Sequence, residues 1–404
     1  MSSPAKGAWT PALLTALVAA GAILSLSMGL RQSLGLFMEP MARAGAVSAA
    51  AFGFAMALQN LAWGIGQPFM GAICDRFGGR LVVAVAAILY GAGLASMASG
   101  GALGLYLGGG LLIGLAVAAT SHGVLVGIVS RLASPSVRAS AVSILAAVGS
   151  LGTFAVAPAT QGMIERWSWQ GALAGLALLA LLMTAMALFF RRAAPGAADS
   201  TLRPDARGAI VTALRSRPFV IATLAFFACG FQLIFIATHL PNFIALCGLP
   251  PSVGATALAL IGLCNALGTL LAGYLCQRWG NEPVLALIYL LRTLAIALFF
   301  TLPVSVESTL IFAAAMGFLW LSVVPPVSGM INGLFGPANF GTLFGVMFLS
   351  HQVGAFLGAW LGGLGYQMSG SYTAGWLALI AVGMAAAALQ FWGGRPRVER
   401  LPSP

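Results

Sequence analysis

The 404-residue chain is poor in charge, since only 7% of its residues are Asp, Glu, Lys or Arg, while 60% are hydrophobic. A soluble core of this size does not need so much apolar sequence, whereas a helical bundle solvated by lipid does. The apolar runs are continuous rather than alternating, which excludes a transmembrane β-barrel. They form twelve segments, most of them near the roughly 20 residues that a spanning helix requires. The segments are 11–38, 48–70, 81–99, 102–128, 139–161, 170–190, 218–246, 252–275, 283–302, 308–329, 339–365 and 372–392.

Other absences exclude further classes of protein. The five cysteines form no CxxC pair and no metal-ligand spacing, so they are packing residues, and neither a disulfide framework nor a metal site is expected. No Ser-His-Asp order and no Walker A sequence occurs, which argues against an enzyme and against an ATP-driven pump. We expect no cofactor.

The net charge of +11 is distributed in a way that indicates a membrane rather than a nucleic-acid partner. With the N-terminus placed in the cytoplasm and the loops alternating, 15 of the 19 basic residues fall on the inner side, whereas Arg43 and Arg166 fall outside. This positive-inside asymmetry predicts a multi-pass protein of the inner (plasma) membrane with both termini cytoplasmic. The inner-side residues are Lys6, Arg76, Arg80, Arg131, Arg138, Arg191, Arg192, Arg203, Arg207, Arg215, Arg217, Arg278, Arg395, Arg397 and Arg400.

A charged, glycine-rich decapeptide occurs twice. "GAICDRFGGR" occupies 71–80 and "GYLCQRWGNE" occupies 273–282, which begins 202 positions later. The only long polar stretch, 191–217, is basic, contains two prolines and is typical of a cytoplasmic linker. The sequence therefore predicts an N-terminal six-helix half (1–190), a linker (191–217) and a C-terminal six-helix half (218–404). Two such halves of parallel topology are typical of one large transporter architecture.

The decapeptide resembles the loop signature of the major facilitator superfamily, G-x-x-x-D-[RK]-x-G-[RK]-[RK]. The resemblance implies an all-α membrane protein with twelve transmembrane helices in two pseudo-symmetric halves, in which this loop acts as a conformational switch against the other half. In the second copy Gln277 replaces the acid, and in the first copy Gly79 replaces one basic residue. The matching residues are Gly71, Asp75, Arg76, Gly78 and Arg80.

Local matches resemble the bacterial monocarboxylate transporter-like branch of this superfamily. "GLRQSLGLFMEP" ends the first segment, and Arg31 in it matches a lysine that the branch uses for substrate and proton. "HLPNF", "RASAVSILAAVGSLGTFAVAP" and "LSHQVGAFLGAWLGG" also resemble bacterial members. The chain departs from well-known members in the eighth segment, where Asn265 and Thr269 stand in place of an Asp and an Arg. The resemblance implies a secondary active transporter that moves a small organic anion by alternating access, with proton symport as an option.

A drug or metabolite exporter of the same fold is the alternative. Exporters of that kind resemble one another in a Gly-Pro-rich fifth helix, whereas "AVGSLGTFAVAPATQG" lacks the adjacent Gly-Pro pair. A membrane sensor or signalling scaffold is disfavoured because the loops and tails leave no room for a signalling domain. We expect a monomer.

Two basic residues remain inside the apolar segments, and each is a functional candidate because charge inside a bilayer is costly. Arg31 is interpreted either as a substrate contact or as an anchor that extends to the interface. Arg292 is interpreted either as a ligand contact or as a tie to helix-end carbonyls. Since no acid falls in the middle of a segment, the embedded cations favour a negatively charged ligand.

Uncharged polar residues complete the candidate site. His351, with His122 and His239 as alternatives, is a candidate proton carrier because histidine titrates near neutral pH. Some of the embedded amides must hold helices together. The candidate substrate-binding residues are Arg31, Gln232, Asn265, Arg292, His351 and Gln352.

The repeated turn generates a first prediction. Asp75→Asn should impair transport at normal membrane abundance, because it removes an interface contact made in one conformational state only. Its counterpart Gln277→Asn is the matched control and should have little effect. Uptake and abundance measured in the same vesicles check this, and an equal loss from both changes would show that polarity rather than charge matters.

Overall fold

A computed structural model describes residues 9–190, 206–336 and 340–393. These residues form helices and no strand, and ten of the helical stretches are long and apolar enough to cross a membrane. The helices are α1 (Pro11–Ser33), α2 (Met38–Arg43), α3 (Ala49–Phe77), α4 (Gly79–Ala98), α5 (Ala102–Gly104), α6 (Ile113–Thr120), α7 (His122–Leu132), α8 (Pro135–Ala187), α9 (Ala206–Arg215), α10 (Arg217–Leu246), α11 (Pro251–Trp279), α12 (Asn281–Thr301), α13 (Val306–Leu319), α14 (Val324–Phe335), α15 (Phe340–Ser369) and α16 (Thr373–Gly393).

The prediction of an all-α membrane protein is confirmed. Two predicted segments, 139–161 and 170–190, lie together in α8, which changes direction at Ser168, where φ is +69°. The count of twelve spanning helices stays a prediction. The predicted linker lies largely outside the described residues, although its last part forms α9.

The helices run antiparallel between two ends of the bundle. We call one end the loop face, because it holds the connections at 44–48, 99–101, 247–250, 302–305 and 370–372. We call the other the turn face, because it holds the single-glycine turns at Gly78 and Gly280.

The two copies of the decapeptide adopt one conformation. Gly78 and Gly280 each have φ of +85°, and their amides donate to the carbonyls of Cys74 and Cys276 at 2.8 and 3.0 Å. A positive φ favours glycine because it lacks a Cβ atom. The predicted loop is therefore a one-residue turn, in which α3 ends at Phe77 and α4 begins at once.

The packing between helices also repeats at the spacing of 202 residues. A Cβ added to Gly152 would lie 1.9 Å from the carbonyl oxygen of Ser25, and one added to Gly354 would lie 2.0 Å from that of Phe227. Both residues of the second pair lie 202 positions after those of the first. The α1–α8 and α10–α15 packings therefore use the same repeat positions, and both depend on the close approach that glycine permits.

The core contains a large aromatic cluster around Trp376 of α16, which is fully buried. The rings of Phe243 and Phe299 lie 5.1 and 5.6 Å from it, and Phe312 stacks on Phe299 at 4.2 Å. This cluster joins α10, α12, α13 and α16 on the side near the loop face.

Two long helical runs are interrupted at one repeat position. α6 ends at Thr120 and α7 begins at His122, after an extended Ser121 with ψ of 177°. α13 ends at Leu319 and α14 begins at Val324, which lies 202 positions after His122. Interrupted helices are tolerated at membrane depth only where neighbouring groups bond the released backbone atoms.

Arg292 of α12 bonds the carbonyls that the α13 break releases. Its Nη2 donates to the carbonyl oxygen of Leu319 and, at 3.0 Å, to that of Trp320. The side chain is fully buried. A cation at the C-terminal end of α13 also complements the negative end of the helix dipole. The geometry is that of a tie to helix-end carbonyls, one of the two interpretations that the sequence leaves open.

Asn265 of α11 bonds the other side of this break. Its Oδ1 accepts from the amide of Leu321 at 3.0 Å, and its Nδ2 donates to Ser150 Oγ of α8 at 3.4 Å. One amide side chain therefore bonds both the interrupted helix and a helix of the preceding repeat.

Arg292 generates a prediction about stability. Arg292→Met should lower the thermal stability of the purified protein, because each buried carbonyl left without a donor costs about 1–3 kcal/mol. Arg292→Lys should recover part of the loss, and Arg43→Met, at a largely exposed arginine, is the control. Thermal unfolding in detergent measures this. A variant that keeps its melting temperature and loses ligand binding instead would make Arg292 a ligand contact.

Candidate functional site

Arg31 lines a small cavity inside the helical bundle. The cavity lies between α1, α3 and α10, so it is formed by elements that precede and follow the predicted linker. Its walls combine amides with aliphatic groups, and they consist of Arg31, Gln32, Gly35, Met56, Gln59, Asn60, Ile234, Ala237 and Thr238.

The Arg31 guanidinium is fixed by two contacts from α3. Its Nη2 donates to Asn60 Oδ1 at 2.6 Å, and its central carbon lies 4.8 Å from the ring centroid of Trp63. Asn60 is oriented in turn by its Nδ2, which donates to the Met56 carbonyl at 2.8 Å. The Arg31 Nε is buried and has no hydrogen-bond partner among the described residues. The arrangement presents a positioned cation with hydrogen-bonding capacity left for a ligand.

Trp63 is the part of the site that sequence reasoning missed. Its Nε1 donates to Gln67 Oε1 at 2.6 Å, and Ser121 at the α6–α7 break donates to the same oxygen at 2.8 Å. Asn60, Trp63 and Gln67 follow the spacing i, i+3, i+7, which places them on one face of α3. That spacing of one aromatic and two amides was the available signal.

His351 and Gln352 belong to the same cluster as Trp63. The ring of Phe348 lies 5.2 Å from Trp63 and stacks on His351 at 5.9 Å with an interplanar angle of 5°. The His351 Nδ1 lies 3.2 Å from Gln352 Oε1, and Gln352 is fully buried. The structure therefore gathers three of the six predicted substrate-binding residues, Arg31, His351 and Gln352, into one continuous group.

The other predicted residues lie elsewhere. Gln232 donates to the Leu379 carbonyl at 3.1 Å and joins α10 to α16. Asn265 and Arg292 hold the α13–α14 break.

The two alternative histidines have other surroundings in the structure. The His239 Nε2 lies 2.8 Å from the Ala359 carbonyl oxygen, and His122 is the first residue of α7. Among the predicted switch residues, Arg76 lies exposed with its guanidinium carbon 5.2 Å from the Phe77 ring centroid. The Asp75 side chain lies outside the part of the structure that is described.

Two of the contacts between the halves, α3 with α15 and α8 with α11, lie at one level of the bundle. Gln352 of α15 packs against Gly64 of α3, where an added Cβ would lie 2.7 Å from the Gln352 Cβ. Asn265 of α11 bonds Ser150 of α8 at 3.4 Å. By the offset of 202, Asn265 corresponds to Trp63 and Ser150 corresponds to Gln352. Both contacts therefore lie at the level of the Arg31 site.

The α3–α15 contact is closed toward the loop face and open toward the turn face. At the loop face the Ala50 amide donates to Gln367 Oε1 at 3.3 Å. Toward the turn face, a Cβ added at Gly71, Gly341 or Gly345 would meet no described atom within 4 Å. The space beside the Arg31 site therefore widens toward the turn face.

Sequence comparison finds transporters among the relatives of this chain. Monocarboxylate transporter 13 of Bos taurus is 28% identical over 355 residues, which cover 87% of this chain and 82% of the bovine one. Monocarboxylate transporter 11 of Homo sapiens is 29% identical over 390 residues, which cover 93% of this chain and 81% of the human one.

The fold agrees with that of a solved transporter. The crystal structure of the nucleoside transporter NupG superposes with a TM-score of 0.79 at 14% identity, covering 93% of this chain and 99% of that one. The sequence model of the Major Facilitator Superfamily matches residues 12–326 and 248–404. Because that match extends over nearly the whole sequence and the helical bundle agrees with it, the chain belongs to the Major Facilitator Superfamily and is a membrane transporter rather than an enzyme.

Proposed function

We propose that this transporter moves a small, monocarboxylate-like organic anion by binding it at Arg31. The observation that supports this is the Arg31 guanidinium itself, which Asn60 and Trp63 hold beside the cavity. No carboxylate among the described side chains lies within ion-pair distance of Arg31. A cation in a site of low dielectric attracts an anion more strongly than it would in water. The identity to monocarboxylate transporters favours a carboxylate over other anions.

Alternating access is the mechanism that we propose. We assign the turn face to the cytoplasm, because basic residues such as Arg76, Arg80 and Arg278 lie there. The contacts that close α3 against α15 at the loop face then belong to an inward-open state, and rocking of the 1–190 half against the 218–404 half would exchange it for an outward-open one. In this scheme 191–217 is the cytoplasmic linker, and Asp75 at the end of α3 contacts the other half in the outward-open state.

Proton coupling is proposed at His351. It lies in the same cluster as Arg31, and a protonated imidazole there would add positive charge beside a bound anion. Binding of the anion would in turn favour protonation. His122 and His239 are the alternatives, although His239 is already bonded to the Ala359 carbonyl.

The main prediction concerns Arg31. Arg31→Gln should weaken binding of an anionic substrate by about 10- to 100-fold, because a charge-assisted hydrogen bond is worth about 1.5–3 kcal/mol. Arg31→Lys should lose less, and Arg43→Gln at the loop face should lose nothing. Uptake of radiolabelled pyruvate into proteoliposomes and ligand-induced thermal shifts measure this. Unchanged affinity in Arg31→Gln would make Arg31 an anchor and remove the support for an anionic substrate.

A second prediction concerns the proton. Uptake should rise as external pH falls, and His351→Gln should keep exchange of substrate for substrate while losing accumulation driven by a pH gradient. Flux in proteoliposomes with and without an imposed gradient separates the two activities, and His239→Gln is the matched control. Gradient-driven accumulation that persists in His351→Gln would eliminate this residue and implicate Glu39 or co-transport of the protonated substrate.

A further inference from the structure

Six rings form a continuous wall that begins at Arg31. From the Trp63 ring, successive centroid distances along the wall are 5.2, 5.9, 5.0, 6.3 and 5.6 Å. We call this the aromatic wall, and its members in order are Trp63, Phe348, His351, Phe226, Phe344 and Phe340.

The aromatic wall leads from Arg31 toward the turn face. Phe348, Phe344 and Phe340 recur every four residues on α15 and therefore share one face of the helix. They extend over about 12 Å at a rise of 1.5 Å per residue. All three rings are half-buried, whereas Phe226 of α10 behind them is buried.

The open space beside these rings lies in the seam between α3 and α15. Gln352 faces α3, because it packs against Gly64. Gly345 precedes Gln352 by seven residues, or two helical turns, and so lies on the same side of α15. A Cβ at Gly345 would meet no described atom within 4 Å. The seam that is packed at Gln352 is therefore open two turns further toward the turn face, next to Phe344 and Phe348.

We propose that the transporter selects monocarboxylates that carry an aromatic ring, with the carboxylate at Arg31 and the ring against the aromatic wall. This inference rests on the proposed function and narrows its substrate class. Rings stack or meet edge to face at the separations that the wall itself shows. A dicarboxylate would place its second charge against apolar rings, which is costly. A short aliphatic acid would leave the rings without a partner.

Phenylpyruvate and pyruvate are the matched probes, because they differ only by a phenyl group. In proteoliposomes of the full chain we expect a KM for phenylpyruvate up to about tenfold below that for pyruvate, which is the upper range for one aromatic contact. Phe344→Leu and Phe348→Leu should each lower the ratio of the KM for pyruvate to the KM for phenylpyruvate severalfold, because each removes one ring of the wall. Phe356→Leu is the control on α15, because that ring packs on Phe54 and Trp360 outside the wall.

The outcomes separate this inference from the proposed function. Uptake of pyruvate with no preference for phenylpyruvate in the wild-type protein would overturn the aromatic selectivity and leave anion transport intact. A preference that survives both leucine variants would likewise overturn the role of the wall, and the wild-type comparison remains decisive if a variant fails to fold. Uptake of phenethylamine in place of both acids would overturn the proposed function and this inference together.

Discussion

Inside the membrane, the backbone groups that an interrupted helix releases must be bonded within the protein. This constraint accounts for the positions of several polar side chains of this transporter. At the α13–α14 break, Arg292 donates to the carbonyls and Asn265 accepts from an amide. At the α6–α7 break, Ser121 bonds Gln67. Gln59 donates to the Gly109 carbonyl at 2.8 Å in the π-helical segment Leu105–Leu112. Side chains therefore bond backbone groups at the α13–α14 break and in the π-helical segment, because lipid supplies no hydrogen bonds. The bond between Ser121 and Gln67 joins two side chains at the α6–α7 break.

This constraint separates the embedded polar residues into two groups. Arg292 is fully buried, and its Nη2 bonds two carbonyls at a helix end. Arg31 is also embedded, but its partners are side chains that hold it at a cavity wall. Both arginines stand out in the sequence for the same reason, since burying a charge is costly. The structure distinguishes them by their partners, which are helix-end carbonyls for Arg292 and side chains at the cavity wall for Arg31.

Much of the fold can be predicted from the sequence, because the apolar segments and the repeated glycine turns are determined by local interactions. The Gly78 and Gly280 turns repeat in conformation as the repeat predicts. The α6–α7 break was not predicted, since "AATSHG" contains no proline, and Gln67, which Ser121 bonds at the break, comes from another helix. The importance of Trp63 was missed for the same reason: its contacts with Arg31 and Phe348 come from α1 and α15, and the order of residues in α3 does not specify those neighbours.

The repeat also explains how a symmetric bundle can offer an asymmetric site. Trp63 and Asn265 occupy one repeat position, and Tyr90 and Arg292 occupy another. Trp63 faces Arg31, whereas Asn265 bonds a helix break and Ser150. Trp63 and Asn265 both lie where the two halves meet, so this repeat position faces the other half on both sides while its side chain differs. One seam can therefore hold a ligand beside the Arg31 cation while the other bonds the two halves to each other, and a rocking motion at either seam must change the surroundings of both.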